Sequence, residues 1–309
     1  MTLNGKASMR ALWGGTIIVL CLVSVWWVGA PVLVGAQEGA ASHSRHILWK
    51  VQSSHNIIYL LGSIHVLQEK NYPLDHQFYE AFNQASTIIF EVDLDGLTSP
   101  LSQLQILTKG LYLNGQNLQR VLSTDHYEAA KANFAELGFN IENFHRMKPW
   151  MAATAVTALE LQKLGFESAW GVDRHFFEKA KEAGKDIQGL ESVEFQLGLF
   201  DNLSPSIQEL FLLQSLEDLK NIEARIKEMV DAWTQGNVKD LERVLEGMRE
   251  YPELFQALVV SRNQTWLPQI EKALQQSKPV FIVVGTLHLL GKEGLLTVLK
   301  ERGYAVEQL

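Results

Sequence analysis

The chain has 309 residues, 47% of them hydrophobic, and a formal charge of −8 at neutral pH. That is enough apolar material for one large domain or two small ones. The acidic balance, with no local basic stripe, argues against a protein that tracks nucleic-acid phosphates.

Residues 1–36 read as an export signal. Lys6 and Arg10 make a short positive start, Ala11 to Val34 is uncharged and mostly apolar, and Val34-Gly35-Ala36 offers small residues before Gln37-Glu38. The competing reading is an uncleaved membrane anchor, because the apolar run is long enough to span a bilayer. Either way the remainder is expected outside the cytoplasm, periplasmic or secreted, and tied to a membrane only if this segment is retained. The single cysteine, Cys21, lies in the segment after Leu20, not after the small residue that a lipid-attachment site requires. The remainder can therefore hold neither a disulfide, a thiol nucleophile nor a cysteine-ligated zinc.

His46 to Val51 and Asn56 to Leu61 are short β-type runs joined by Gln52-Ser53-Ser54-His55, a plausible hairpin. A loop with Pro73 leads to a helix from about Leu74 to Ala85, then to the strand-like Thr87–Asp93, β-branched and apolar but ending in acids. Strand, helix, strand predicts a βαβ unit and a parallel sheet. The middle of the chain is helical, with apolar residues at helix spacing over Asp125–Leu137 and Lys148–Leu164. Gly171-Val172-Asp173-Arg174 opens a helix that runs to Gly184, and Asp186 to Leu190 is a short strand ending at Glu191. Ser204-Pro205-Ser206 looks like a helix start, with Ser206 and Glu209 spaced as a capping box. The pattern then continues to about Gln235, followed by a helix over Val238–Arg249 and a turn opened by Pro252. A helix from Arg262 to about Ser277, an apolar strand ending near Gly285, a helix from about Glu293 to Arg302 and a strand over Tyr304–Gln308 complete the chain. The fold expected is one α/β domain over residues 43–309. Its central sheet, mostly parallel or mixed, is built from both chain ends around a large helical insert.

One pattern occurs twice. Leu61-Gly62-Ser63-Ile64-His65-Val66-Leu67 is echoed by Val284-Gly285-Thr286-Leu287-His288-Leu289-Leu290. Each is an apolar run that stops at glycine and presents a histidine just beyond it. Parallel strands deliver functional side chains at their carboxyl ends, so His65 and His288 on neighbouring strands could meet; each could instead cap its own strand by bonding a loop carbonyl. Glu91 leaves a strand in the same way, and two imidazoles with one carboxylate form a catalytic metal set with positions left for water. Asp93 is the weaker acid, carried onto the loop by its offset. Glu191 also follows a short strand, either as a second functional acid or as an acid favoured in the first turn of the next helix. Arg262 could stabilise a developing oxyanion, or pair with Glu191 structurally. Ser63 and Thr286 read as turn residues, and Lys148-Pro149-Trp150 as architecture.

These residues resemble the TraB/PrgY/GumN family, which includes the Tiki metalloproteases. The resemblance rests on Leu61-Gly62-Ser63-Ile64-His65, Phe90-Glu91-Val92-Asp93, Lys148-Pro149-Trp150, Gly171-Val172-Asp173, Leu190-Glu191-Ser192 with Gln196, Arg262-Asn263 with Trp266, and Val284-Gly285-Thr286-Leu287-His288. It implies an α/β fold related to erythromycin-esterase-like and ChaN-like proteins. It also implies metal-dependent peptide cleavage with manganese or cobalt, zinc being the alternative. The active site proposed for the family maps onto His65, His288 and Glu91. The second motif often reads Gly-x-Gly-His in the family, where this chain has Thr286-Leu287 between its Gly and His. The expected function is an exported metal-dependent hydrolase acting on a peptide or protein. His65, His288 and Glu91 would hold the metal, Glu91 or Glu191 would act as base, and Arg262 would face the oxyanion. The alternative is a non-catalytic protein that binds or sequesters a peptide or other ligand in the same crevice.

Overall fold

Two apolar runs, one from each end of the chain, lie side by side in the middle of the sheet. The computed structural model describes residues 45–309, so the signal or anchor expected at residues 1–36 lies outside the described residues. β1 (Leu48–Gln52) and β2 (Ile57–Ser63) form the expected antiparallel hairpin. α1 (His76–Gln84) then leads to β3 (Thr87–Phe90). β3 does not pair with β2, because the C-terminal β5 (Val280–Gly285) inserts between them, parallel to both. The expected βαβ unit is thus split by a strand from the far end of the chain. β4 (Asp186–Gly189) adds parallel to β3, and β6 (Ala305–Gln308) pairs antiparallel with β1. The sheet is mixed, in the order β4-β3-β5-β2-β1-β6. β5 is apolar and buried at every position, as a parallel strand covered on both faces must be.

Between β3 and β4 run α2 (Leu94–Thr98), α3 (Pro100–Gly110), α4 (Leu118–Val121), α5 (Thr124–Glu136), α6 (Pro149–Lys163) and α7 (Val172–Glu182). Between β4 and β5 come α8 (Val193–Asp201), α9 (Pro205–Leu219), α10 (Ile222–Thr234), α11 (Val238–Met248), α12 (Pro252–Phe255) and α13 (Ser261–Ala273). A π-helical turn, Gln256–Val260, joins α12 to α13. α14 (Thr286–Leu289) and α15 (Leu295–Glu301) follow β5.

The long pattern expected to run to Gln235 is two helices, broken at Lys220 and Asn221. The capping box expected at Ser206 and Glu209 does not form. Ser204 accepts from the Ile207 N–H instead, and Glu209 accepts from the Ser123 N–H and contacts His126 Nδ1. Lys148-Pro149-Trp150 is architecture: Pro149 opens α6, where its missing N–H costs nothing, and Trp150 is fully buried against Phe200. Among the described residues no helix is long and apolar enough to cross a membrane.

The insert is fastened to the sheet where the first Gly-x-x-His copy begins. Trp233 of α10 donates its indole N–H to the Gly62 carbonyl at 2.7 Å and stacks on Phe78 of α1. Gly62 has no room for a side chain, since a Cβ there would lie 2.5 Å from Ile47 Cγ2 and 2.9 Å from Thr286 Oγ1. Trp233→Phe keeps most of the ring and leaves a buried carbonyl unpaired. It should cost about 1–3 kcal/mol in urea unfolding; an unchanged midpoint would show that this bond does not hold the insert.

Candidate active site

Four strands end together. β2 and β5 pair with Ser63 opposite Gly285, β3 and β5 with Phe90 opposite Val283, and β3 and β4 with Phe90 opposite Gly189. His65, His288, Glu91 and Glu191 each lie within three residues of one of these strand ends, so the sheet brings all four to one edge. His65, Glu91 and His288 are buried, at 4%, 7% and 3% exposed, and the side chain of the half-buried Glu191 is 3% exposed. The two copies of the repeat differ beyond the glycine. His65 sits on a bend after β2, whereas His288 is the third residue of α14.

Arg262, 1% exposed, is the hub. Its Nη2 donates to Glu91 Oε2 at 2.6 Å and also to Glu191 Oε1. Its Nε reaches both Glu191 oxygens at 3.1 and 3.2 Å, and its Nη1 stands 3.0 Å from His288 Nε2. The π-helical turn before α13 supplies one more acceptor, the Leu258 carbonyl. Trp266, one turn further along α13, donates to Glu191 Oε2 at 2.9 Å and lies against both the Arg262 guanidinium and the His288 ring. Arg262 thus pairs with Glu191, one of the two roles open to it from sequence, and at the same time reaches Glu91 and His288. Asp93 is the N-cap of α2, accepting from the Asp95 N–H.

Both histidines are oriented through Nδ1. His288 Nδ1 is 2.8 Å from Asn263 Oδ1, and Asn263 Nδ2 donates to the carbonyls of His288 and Glu293. The amide orientation follows from those two carbonyls, so His288 Nδ1 carries the proton and Nε2 the lone pair. His65 Nδ1 approaches Asp173 Oδ1 to 3.0 Å, an ion-pair contact off the line of a straight hydrogen bond. Gly171-Val172-Asp173 makes that approach feasible. The Val172 N–H holds the Ile64 carbonyl at 3.0 Å, and a Cβ on Gly171 would lie 2.4 Å from the His65 carbonyl. His65 Nε2 is buried and has no hydrogen-bond partner among the described residues. A histidine held by a carboxylate at one nitrogen and open at the other is the usual arrangement of a metal ligand.

The open nitrogen has a destination. A Cβ added to Gly285 would lie 3.2 Å from Glu91 Oε1, 3.5 Å from His65 Nε2 and 3.6 Å from His288 Cδ2. The three residues singled out as metal ligands therefore converge over a glycine whose missing side chain leaves the space between them. Glu91 is fixed there by the Gly285 N–H, which donates to Oε1 at 2.6 Å. Among the described residues no three His, Cys, Asp or Glu side chains stand in ready ligand geometry. The guanidinium holds the His288 lone pair and Glu91 Oε2.

Burial would raise the Glu91 carboxyl, but Arg262, the two histidines and the Gly285 N–H outweigh it and hold it down to about 2. Burial also disfavours charge on His288, and with Arg262 beside it the imidazole is lowered to about 3. Burial alone would lower His65 too, yet Asp173, followed by Glu91, raises it. Glu191 is raised, its burial outweighing Arg262. Asp173, Asn263 and Gly285 carry much of this geometry. From sequence, Asp173 stood in a helix-opening motif and Asn263 beside Arg262, both within the motifs of the family resemblance, but neither was given a role at the site.

From these shifts the acid behaviour of the metal-free protein can be predicted. Between pH 6.5 and about 3 the unfolded chain binds a proton at His288 that the folded chain refuses, so stability falls as pH falls through that window. Glu91 acts in the same direction below its ordinary 4.5, whereas raised His65 contributes stability below 6.5 that is lost as pH rises. His288→Gln should flatten the loss of stability between pH 6.5 and about pH 5 by up to about 1.4 kcal/mol per pH unit. Urea unfolding of chelated protein measures it; parallel slopes in wild type and variant would mean that His288 takes up its proton in the folded state.

A model of the TraB/PrgY/gumN family matches residues 47–308. The uncharacterized protein YbaP of Escherichia coli K12 is 23% identical over 266 residues, which cover 84% of this chain and 96% of YbaP. Metalloprotease TIKI2 of Danio rerio is 24% identical over 302 residues, 81% of this chain and 58% of that protein. Metalloprotease TIKI1 of Homo sapiens is 23% identical over 332 residues, 90% of this chain and 65% of that protein. The chain thus spans less than two thirds of either TIKI protein. No solved structure matches the chain at a significant level. The family model covers almost every described residue, including the strand ends that carry His65, Glu91, Glu191 and His288: the chain belongs to the TraB/PrgY/gumN family.

Proposed function

We propose that the protein is an exported metal-dependent hydrolase that cleaves peptide bonds. The observation that carries this reading is the convergence of His65 Nε2, Glu91 Oε1 and the His288 ring on the side-chain position that Gly285 leaves open. Imidazole and carboxylate are donor types that a divalent cation takes. Two imidazoles are fixed through Nδ1, Glu91 and Glu191 face the single guanidinium of Arg262, and a third carboxylate, Asp173, backs His65. That excess of negative charge is what a dication balances. The names of the TIKI relatives support the same chemistry, and oxygen with imidazole donors suits manganese or cobalt, with zinc as the alternative. Export is supported by the charge and apolar pattern of residues 1–36.

When bound, such an ion lowers the pKa of water and polarises the scissile carbonyl. The chain's own residues supply the rest. His65 and His288 would hold the ion through Nε2, with Asp173 and Asn263 keeping each ring in the required tautomer. Glu91 Oε1, already held by the Gly285 N–H, would be the third ligand. His288 first has to be released by Arg262 Nη1, which frees a guanidinium N–H to donate to the developing oxyanion. Glu191 would take the remaining role of base, but Arg262 and Trp266 now occupy both its oxygens. As found, it is the counter-charge that keeps Arg262 in place.

The position of Arg262 favours one second reading, a hydrolase that needs no metal. There His65, backed by Asp173, takes the proton of the attacking water through its open Nε2, and Arg262 faces the oxyanion. Purified chain incubated with a mixed peptide library separates the two. Cleavage that requires Mn²⁺ or Co²⁺ and stops with chelator supports the first; cleavage indifferent to chelator supports the second. Ligand retained with no cleavage under either condition contradicts both and favours a binding protein. The metal reading also predicts that Asp173→Asn weakens metal affinity about 10- to 100-fold, measured by calorimetric titration. An unchanged affinity would remove His65 from the ligand set.

A further inference from the structure

Apolar side chains that a fold leaves uncovered are informative when they stand together. α3 turns Ser102, Ile106 and Gly110 inward and leaves Leu101, Leu104 and Leu107 at 67%, 57% and 51% exposed. Spaced three apart, these leucines run along one side of the helix. α3 packs against α8, whose first turn exposes another large apolar side chain, Phe195, at 41%. One exposed leucine needs no explanation. An apolar row on one helix, with an exposed ring on its neighbour, does.

The place of these helices in the chain supplies it. α2 is capped by Asp93, just beyond Glu91, and runs into α3 at Ser99. α8 is capped by Ser192, the neighbour of Glu191. The two exits are tied, with the Glu191 N–H donating to the Glu91 carbonyl at 2.9 Å. Gln196, the residue after Phe195, is buried and donates to the Glu191 carboxylate. The exposed row therefore belongs to the segments that leave the candidate site.

Charge separates the candidate occupants. Lys109 is the only base on α2, α3 and α8, against Asp95, Glu194 and Asp201. An anionic lipid surface draws clustered basic residues. A second copy of this chain, with its formal charge of −8, would set the same acids against each other. An apolar peptide segment meets neither objection.

We propose that the exposed sides of α3 and α8 dock an apolar segment of the peptide substrate beside the strand ends. The identity of this occupant rests on the peptide-cleaving reading of the site. The leucines touch no reacting atom, so they set which peptides bind and not how fast a bound one is cut. Such uniform binding appears in KM and leaves kcat alone.

The test is the double variant Leu104→Gln/Leu107→Gln, which keeps good helix formers at exposed positions and should melt with wild type. Binding is read by fluorescence anisotropy of two labelled peptides. One is rich in leucine, valine and phenylalanine; the other has serine and glutamine in their place. Wild type should prefer the apolar peptide, and the double variant should bind it about tenfold more weakly. In cleavage its KM should rise by the same factor at unchanged kcat, and Phe195→Ser should act in the same direction. Equal affinity of wild type and double variant, or a wild type without preference for the apolar peptide, would overturn the proposal. So would binding to phosphatidylglycerol vesicles, or a dimer in sedimentation velocity, that the double substitution abolishes while peptide affinity stays. Those results assign the leucines to lipid or to a second copy. Apolar peptide bound by wild type, weakened in the variant and cut by neither would sink the hydrolase reading and leave the docking surface standing.

Discussion

A guanidinium buried beneath a sheet edge is the constraint on which the rest of this structure depends. Taking an ion of that kind out of water is repaid only when every donor finds an acceptor. Arg262 meets that demand by drawing in Glu91 from the end of β3, Glu191 from the end of β4 and His288 from beyond β5. Removing one partner of such a set leaves an uncompensated buried charge, at a cost of about 3–5 kcal/mol. The strand ends cannot drift apart without paying it. The interaction that assembles the site is therefore also one that holds the two ends of the chain together.

The topology explains why the pattern had to appear twice. Each Gly-x-x-His copy ends a strand, the strands are neighbours, and the register sets Ser63 against Gly285. The two glycines serve different ends. Gly62 lets Ile47 and Thr286 pack close beneath the sheet edge, while Gly285 keeps open the space that His65, Glu91 and His288 surround. The copies then diverge, one into a bend and the other into a helical turn. The two imidazoles therefore come to the space from different backbone settings, one backed by Asp173 and the other by Asn263.

Much of this could be read along the chain, because strands and their exits are local. The hairpin, the short strand before Glu191 and the terminal strand follow from runs of β-type residues, and the histidines and acids stand out by ending apolar runs. What could not be read was pairing. Nothing local to Thr87–Phe90 says that β5, almost two hundred residues later, will come between it and β2. Likewise the break at Lys220 and Asn221 carries no glycine or proline, so the apolar spacing reads through it. Asp173 was hidden for a similar reason: an acid in the first turn of a helix is ordinarily explained by the helix dipole. Only its contact with His65 Nδ1, beside the close approach of Gly171 to the His65 backbone, shows that it serves a ring on another element. The placement of Arg262 was the largest gap, since a single arginine could have faced a substrate or a structural acid, and it lies against two acids and a histidine at once.

The central claim is that a divalent ion takes a place among His65, His288 and Glu91 that Arg262 now partly commands. The direct measurement is anomalous scattering from crystals soaked in Mn²⁺. The account predicts a single strong peak over Gly285, within bonding distance of His65 Nε2, His288 Nε2 and Glu91 Oε1, with the guanidinium withdrawn from His288. No peak there, with Arg262 Nη1 still against His288 Nε2 in crystals that take up manganese elsewhere, would contradict it.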